Sequence, residues 1–354
     1  MKPTKLIAFP SLLVAGLALS VCATAQNRQL TNYSQIATIS VPGNLAGGFD
    51  ISWVDSASQR YYLANRGTTK GGGSITVIDT NTNKYLYSIP STKGEIGFAG
   101  NTGKRTTSGP AGVVAVPQLN QLWVGDGDST VKVVDLTAKA IIASVSTGGM
   151  FRADELAYDS LDHIIMIANA NDSPPFLTFI STDTLAVTGK ITYGADQVGL
   201  EQPVWDGQLK RFLISVPASA SRTGAVDVID PIAMQVTNHY FLNCDPAGLA
   251  LGPLQRVMTS CAQVIDARTG NTLGYSQGQG DSLIGGDEIW FNPGDNRYYF
   301  GSGNVGVVDA ETNLPLGFVA TNVATHSIAV DSSNNHIFVP ATGVGVLVFA
   351  QTAP

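Results

Sequence analysis

The feature that most constrains the fold is a hydrophobic pair followed by aspartate, repeated along the chain. It occurs as Val77-Ile78-Asp79, Val133-Val134-Asp135, Val228-Ile229-Asp230, Val264-Ile265-Asp266 and Val307-Val308-Asp309, with Phe179-Ile180-Ser181 as a variant in the gap. The copies lie roughly 36 to 56 residues apart, the period of a propeller blade. The clearest unit is Gly285 to Thr321. There Glu288 to Phe291, Arg297 to Gly301, Val305 to Asp309 and Leu316 to Ala320 read as four short strands, rich in Val, Ile, Tyr and Phe and bounded by Gly, Pro, Asn and Asp. Such a sheet cannot bury both faces alone and needs copies of itself.

The copies are present. First strands recur at Ile51–Val54, Val113–Val116, Leu156–Tyr158, Pro203–Trp205, Leu249–Leu251, Ile289–Phe291 and Ile328–Val330, each followed by a second apolar strand, which makes about seven units. The last unit stops after its third strand, Val344 to Phe349, while a spare strand, Ile36 to Val41, precedes the first complete unit. Pairing the two closes the ring and removes an exposed sheet edge. The expectation is an all-β protein, a single seven-bladed β-propeller domain over residues 26–354, with a β-sandwich as the alternative that leaves the repeat unexplained.

Composition narrows the functional classes. Charged residues make up 13% and the chain holds 38 glycines, a loop-rich β-type balance. The net charge is −7 with no run of Lys and Arg, so no nucleic acid partner is expected. Lys2 and Lys5, the apolar run Leu6–Val21 and Ala23-Thr24-Ala25 form a signal peptide over residues 1–25. Two alternatives are a membrane anchor, which Pro10 and Gly16 interrupt, and a lipoprotein at Cys22, which Val21 disfavours. Cleavage leaves a secreted or periplasmic chain, expected to be monomeric and without a transmembrane anchor. It retains Cys244 and Cys261, which flank one hairpin and form either a disulfide or two buried thiols.

Tyr62-Leu63-Ala64-Asn65, Ile164 to Asn169 and the Val77 to Thr80 run resemble the YVTN-type repeat propellers, related in shape to NHL and gluconolactonase-like propellers. The resemblance spans almost all of the mature chain. It implies the fold but little about activity, since this scaffold hosts binding proteins, lyases and lactone hydrolases alike.

Loops joining strands one and two are short and uniform, whereas Ser91–Gly109, Arg66–Ser74, Asn169–Phe176 and Pro217–Gly224 are long and share the other rim. Variation on one face of a repeat fold marks the working face, so a small molecule or protein is expected to bind there. Residues leading into the first strands should ring the channel mouth on that side. Asp50, Arg152, Asp154, Glu201 and Asp287 are the expected ligand contacts, and Glu155, Glu288 and His326 the catalytic candidates. Carboxylates crowded into one space repel unless a cation or protons neutralise them. Ca2+ or another divalent cation would serve, and an open mouth with solvated charges is the other reading. The likeness to gluconolactonase-like propellers implies Glu155, Asn169 and Glu288 as metal ligands. A binding protein and a metal-dependent lactone hydrolase both remain open.

Other motifs carry less. Gly274-Tyr275-Ser276-Gln277-Gly278 fits a nucleophile pattern but lies on an outer strand with no helix behind it. Asp126-Gly127-Asp128 reads as a hairpin turn rather than a calcium loop. Trp53, Trp123, Trp205 and Trp290 read as packing between blades.

Overall fold

The computed structural model describes residues 28–90, 97–276 and 285–352. The expected signal segment, Lys93, Glu95 and the Gln277-Gly278 half of the serine motif lie outside them. The strands form seven four-stranded antiparallel sheets. Each inner strand touches the inner strand of the next sheet, and the seventh touches the first, so the sheets are blades of a closed ring.

Side-chain alternation explains why the ring forms. Successive residues of a strand point to opposite faces, and here each face meets a different neighbouring blade. Tyr61 and Leu63 pack toward the seventh blade, while Tyr62 packs toward the second. Seven apolar clusters result, one between each pair of neighbouring blades. Second and third strands are therefore buried on both faces and read as unbroken apolar runs, as in Ile164–Asn169. Outer strands such as Ala140–Ser146 alternate between half-buried and exposed.

The repeated aspartate has a local cause. At the end of five of the seven third strands its carboxylate accepts backbone N–H groups of the following turn. Asp79 binds Thr82 N at 2.8 Å, Asp135 binds Ala138 N at 2.7 Å and Asp230 binds Ile232 N and Ala233 N at 2.9 Å. Asp266 and Asp309 do the same. Inner strands end likewise on Asp55, Asp159, Asp206 and Asp331, each capping its turn. These Asx-turns fix the short rim and make the motif a structural one.

The ring closes as the repeat count requires. Tyr33–Ile39 pairs antiparallel with Gly345–Gln351, from Tyr33 opposite Gln351 to Ile39 opposite Val346. This strand begins and ends earlier than the expected Ile36–Val41, because Pro42, which has no N–H, opens a 3-10 turn over Pro42–Leu45. Cys244 and Cys261 form a disulfide with Cα atoms 6.1 Å apart, beside the hairpin of the fifth blade. No helix among the described residues is long and apolar enough to cross a membrane.

Candidate functional site at the axial mouth

Just ahead of the inner strands the chain leaves the sheet on the long-loop rim. Asp154, Glu201, Asp287 and His326 stand there in four different blades, followed one residue deeper by Glu155, Gln202, Glu288 and Ser327, and Asp50 is the second residue of the inner strand Phe49–Asp55 in a fifth blade. The ring expected from the sequence is therefore assembled. Its charge balance is not the expected one, however, because arginines from the loops neutralise it.

Asp50 is the centre of that balance. Its carboxylate accepts hydrogen bonds from Arg66 and, at 2.7 Å, from Arg152 Nη1. His326 Nε2 lies 3.4 Å from the other oxygen, with its ring stacked on Phe49. Burial alone would push Asp50 up, but Arg66, His326 and Arg152 together hold it well below the usual carboxylate range. Arg152 also reaches Asp154 at 2.5 Å, and its Nε donates to Asn171 Oδ1 at 3.1 Å. Arg105, mostly exposed, comes within 3.6 Å of Asp287. Arg66 sits in the loop after the second strand of blade one, Arg105 in the loop joining blades one and two, and Arg152 in the loop joining blades two and three.

The long loop around Arg105 is anchored rather than loose. Asn101 Nδ2 donates to Gly47 O at 2.9 Å, Gly71 N to Ala99 O at 2.6 Å and Arg152 N to Thr106 O at 2.8 Å. Gly100, with φ of 70°, lies so close to Thr69 O and Gly72 N that a Cβ would clash at 2.4 and 2.5 Å. The loop thereby holds Arg105 over the mouth, against a residue of the sixth blade.

Six carboxyl groups (Asp50, Asp154, Glu155, Glu201, Asp287 and Glu288) thus face three guanidinium groups. Protons account for the rest. Burial, then Asp154 and Asp287, push Glu201 up to about 8. Burial pushes Glu288 up to about 8 as well, although Ser327 Oγ donates to it at 2.6 Å and Ile328 N at 2.9 Å. Glu155 is raised well above the usual range by burial and then by Asp154, Glu201 and Glu288. Burial raises Asp154 to about 6 despite Arg152. Raised in this way, the three glutamates favour their neutral form, which lessens the excess of carboxylates over guanidinium groups.

Of the set Glu155, Asn169 and Glu288, the two glutamates feel each other's charge at the mouth, and Asn169 leaves its Oδ1 without a hydrogen-bond partner. Asn169 Nδ2 donates to Ser129 Oγ at 2.9 Å and lies within 3.3 Å of Phe151 O, at the junction of blades two and three. Among the described residues no group of three or more His, Cys, Asp or Glu side chains is placed to hold a metal ion. At Asp126-Gly127-Asp128 the observed turn joins Gln121–Gly125 to Thr130–Asp135, and Lys132 Nζ pairs with Asp128 at 2.8 Å. Ser276 points its hydroxyl at Met258 Sδ, 3.4 Å away.

Two features of the axis escape a strand-by-strand reading. Gln202 crosses from the fourth blade: its Oε1 accepts Leu249 N at 2.7 Å and Ile289 N at 3.0 Å, and its Nε2 donates to Ile289 O at 3.2 Å. Beyond it, Trp53, Trp205 and Trp290 line the channel. Only Trp123 is wholly buried between blades. The others do pack against the blade cores, but the axis leaves one edge of each uncovered, which a count of strand positions does not show.

The chain matches no known protein-family profile and no curated protein sequence. Among solved structures it is similar to a chain of the "Crystal Structure of Mitotic Checkpoint Complex", with a TM-score of 0.65 and 10% identity over 99% of each chain. Because 1520 solved chains match in this way, the likeness defines a seven-bladed propeller and no particular role.

Proposed function

We propose that this is an extracytoplasmic, non-enzymatic propeller that binds a ligand or protein partner at its long-loop rim and axial mouth. One observation carries the reading: Arg105 and Arg152, both on connecting loops, reach carboxylates of distant blades over the axis, Asp287 and Asp50. Held by the anchored loop, such a surface is polar and preorganised for a ligand. Its raised glutamates could ionise against a cationic group in the ligand, since an amine or guanidinium placed among them lowers their pKa and draws off protons. The disulfide and the apolar N-terminal run support an extracytoplasmic location, which fractionation of the expressing cell would test. The strand motifs at Tyr62–Asn65 and Val77–Thr80 support assignment to the YVTN-type propellers.

The test is a thermal-shift and calorimetric screen of small amines and of lysine- or arginine-bearing peptides at pH 7.5, on the wild type and on a chain shortened within 97–109. Hits that the shortened chain and Arg105→Ala lose would support the rim. Hits that survive both changes would remove the rim from the site.

A second reading, metal-independent hydrolysis of small cyclic esters, draws on the pairing of His326 with Asp50. His326 would serve as base and a protonated Glu155 or Glu288 as proton donor. Lactone turnover unchanged by Glu155→Gln, Glu288→Gln and His326→Gln, or absent altogether, would end it.

A further inference from the structure

At the axial mouth the aspartates and the glutamates are not treated alike. The three guanidinium groups are all directed at aspartates: Arg66 and Arg152 at Asp50, Arg152 also at Asp154, and Arg105 at Asp287. Among the described residues neither Glu155 nor Glu201 has a hydrogen-bond or ion-pair partner for its carboxyl group. Glu155 is nevertheless only 6% exposed, and it feels the charges of Glu201 and Glu288 from two other blades. The rim beside them holds apolar side chains out to solvent. Met150 and Val198, at 82% and 72%, are the most exposed large hydrophobic residues among those described. They sit on consecutive loops, one joining blades two and three, the other blades three and four, a few residues ahead of Glu155 and Glu201. Both loops are pinned: Met150 N donates to Asp172 Oδ1 at 2.7 Å, and Gln197 Nε2 to Pro217 O at 2.8 Å. The Glu201 carboxyl reaches back toward the second loop, its Oε1 lying 3.2 Å from where a Cβ on Gly199 would stand. Met150 shares a cleft with Thr102 and Thr107 of the loop that carries Arg105.

We infer that the rim docks a lysine-bearing segment of a partner protein, with the ammonium group in the mouth against Glu155 and Glu201, the aliphatic stem on Val198, and a neighbouring apolar side chain of the partner on Met150. The inference rests on reading the mouth as the ligand site and names its occupant. A buried carboxyl group is neutralised by a proton or by a cation. The protein's own guanidinium groups are committed to aspartates, so a cation for the glutamates comes with the ligand. An ammonium group suits carboxyls that converge from separate blades, because its three N–H donors point in different directions; a guanidinium is a flat fork that matches one carboxylate at a time. Lysine carries its charge on four methylenes, which cover apolar surface while the head stays with the carboxyls. A free small amine leaves Met150 uncovered, whereas a lysine within a peptide brings a neighbouring side chain to it. The flexible thioether of methionine adapts to whichever apolar group it meets.

The probes are end-capped peptides and one free amine. The parent is Gly-Gly-Leu-Lys-Leu-Gly-Gly. Its variants replace the lysine by acetyl-lysine or arginine, or both leucines by glycine, and butylamine is the free amine. Calorimetry on the purified protein at pH 7.5 should show saturable one-to-one binding of the parent. Acetyl-lysine keeps the stem and removes the charge, and should weaken binding by about 10-fold or more. Glycine flanks should weaken it by about 5-fold. The arginine peptide should also bind more weakly than the parent. Glu201→Gln and Val198→Ser should each weaken the parent, and Met150→Ser should remove the advantage of the leucine flanks. Met150 and Val198 are exposed, so serine there leaves the core intact, and circular dichroism confirms that each variant is native. Glycine flanks or butylamine binding as tightly as the parent would overturn docking of a protein segment and leave a small amine as the occupant. Parent binding that survives both serine variants would overturn the apolar contacts, and an arginine peptide that matches the parent would overturn the choice of lysine. If no cationic probe binds at all, the reading of the mouth as the ligand site fails together with this inference.

Discussion

The two ends of the axial channel are built by the same inner strands and carry opposite chemistry. At the long-loop end stand carboxyl groups and the arginines that answer them. At the other end stand tryptophans, aliphatic side chains and no charge. The boundary is one residue thick: Glu201 belongs to the mouth, Gln202 crosses the axis, and Val204 and Trp205 line the channel beyond. The difference teaches where in a blade charge is tolerated. Ahead of the inner strand the backbone has left the sheet, and a carboxylate can find loop guanidinium groups. A few residues further on, each side chain is wedged between two blades, where an unpaired charge is very unfavourable.

The sharpest way to break this contrast is Asp50→Ala. It leaves Arg66 and Arg152 partly buried without their shared carboxylate and is expected to destabilise the protein by about 3–5 kcal/mol in urea unfolding. A loss below about 1 kcal/mol would mean that the charged end is not internally balanced. Next in size is Gln202→Ala, which strips Leu249 N, Ile289 N and Ile289 O of their partner at the boundary and should lower stability by about 2–3 kcal/mol. Gln202→Glu should not rescue it, because Ile289 O then faces a second acceptor.

A smaller effect comes from pH. Glu201 and Glu288 are raised to about 8 in the folded state, from 4.5 for the free side chain. Between those values the folded chain holds protons that the unfolded chain has released, so stability falls as pH rises. Asp154, raised to about 6, and Glu155 act in the same direction. Asp50, being lowered, is affected only at acid pH. The melting temperature should drop by on the order of 5 °C from pH 5 to pH 8, and Glu288→Gln should flatten the slope. A flat wild-type profile would show that the mouth is open to water. The smallest stability effect belongs to Arg105→Ala: its exposed pair with Asp287 is expected to contribute less than about 1 kcal/mol. A larger loss would make Arg105 part of the scaffold rather than of the binding rim.

Much of the architecture was legible because it rests on local rules. The hydrophobic pair ends a doubly buried strand and the aspartate caps the next turn, so both recur wherever a blade recurs. The inner strands and the residues ringing the mouth followed from counting along each blade. The site was legible in part. Asp50, Asp154, Glu155, Glu201, Asp287, Glu288 and His326 were placed correctly, whereas Arg66 was read only as the start of a loop and Arg105 only as a charge within one. Asn169 carried no signal of its own and came from the resemblance alone; its amide nitrogen bonds Ser129 at the junction of blades two and three.

By itself the sequence determined the number of blades and their strand order, since each depends on residues a few positions apart, and the three-stranded last unit with a spare N-terminal strand pointed to how the ring closes. Only the tertiary structure decided how the mouth is neutralised and what the axis encloses. Arg152 and Asp50 are 102 residues apart, and Gln202 and Ile289 are 87 apart. Such contacts come from the curvature that packing between blades imposes on the whole ring, and no short stretch of sequence encodes that curvature.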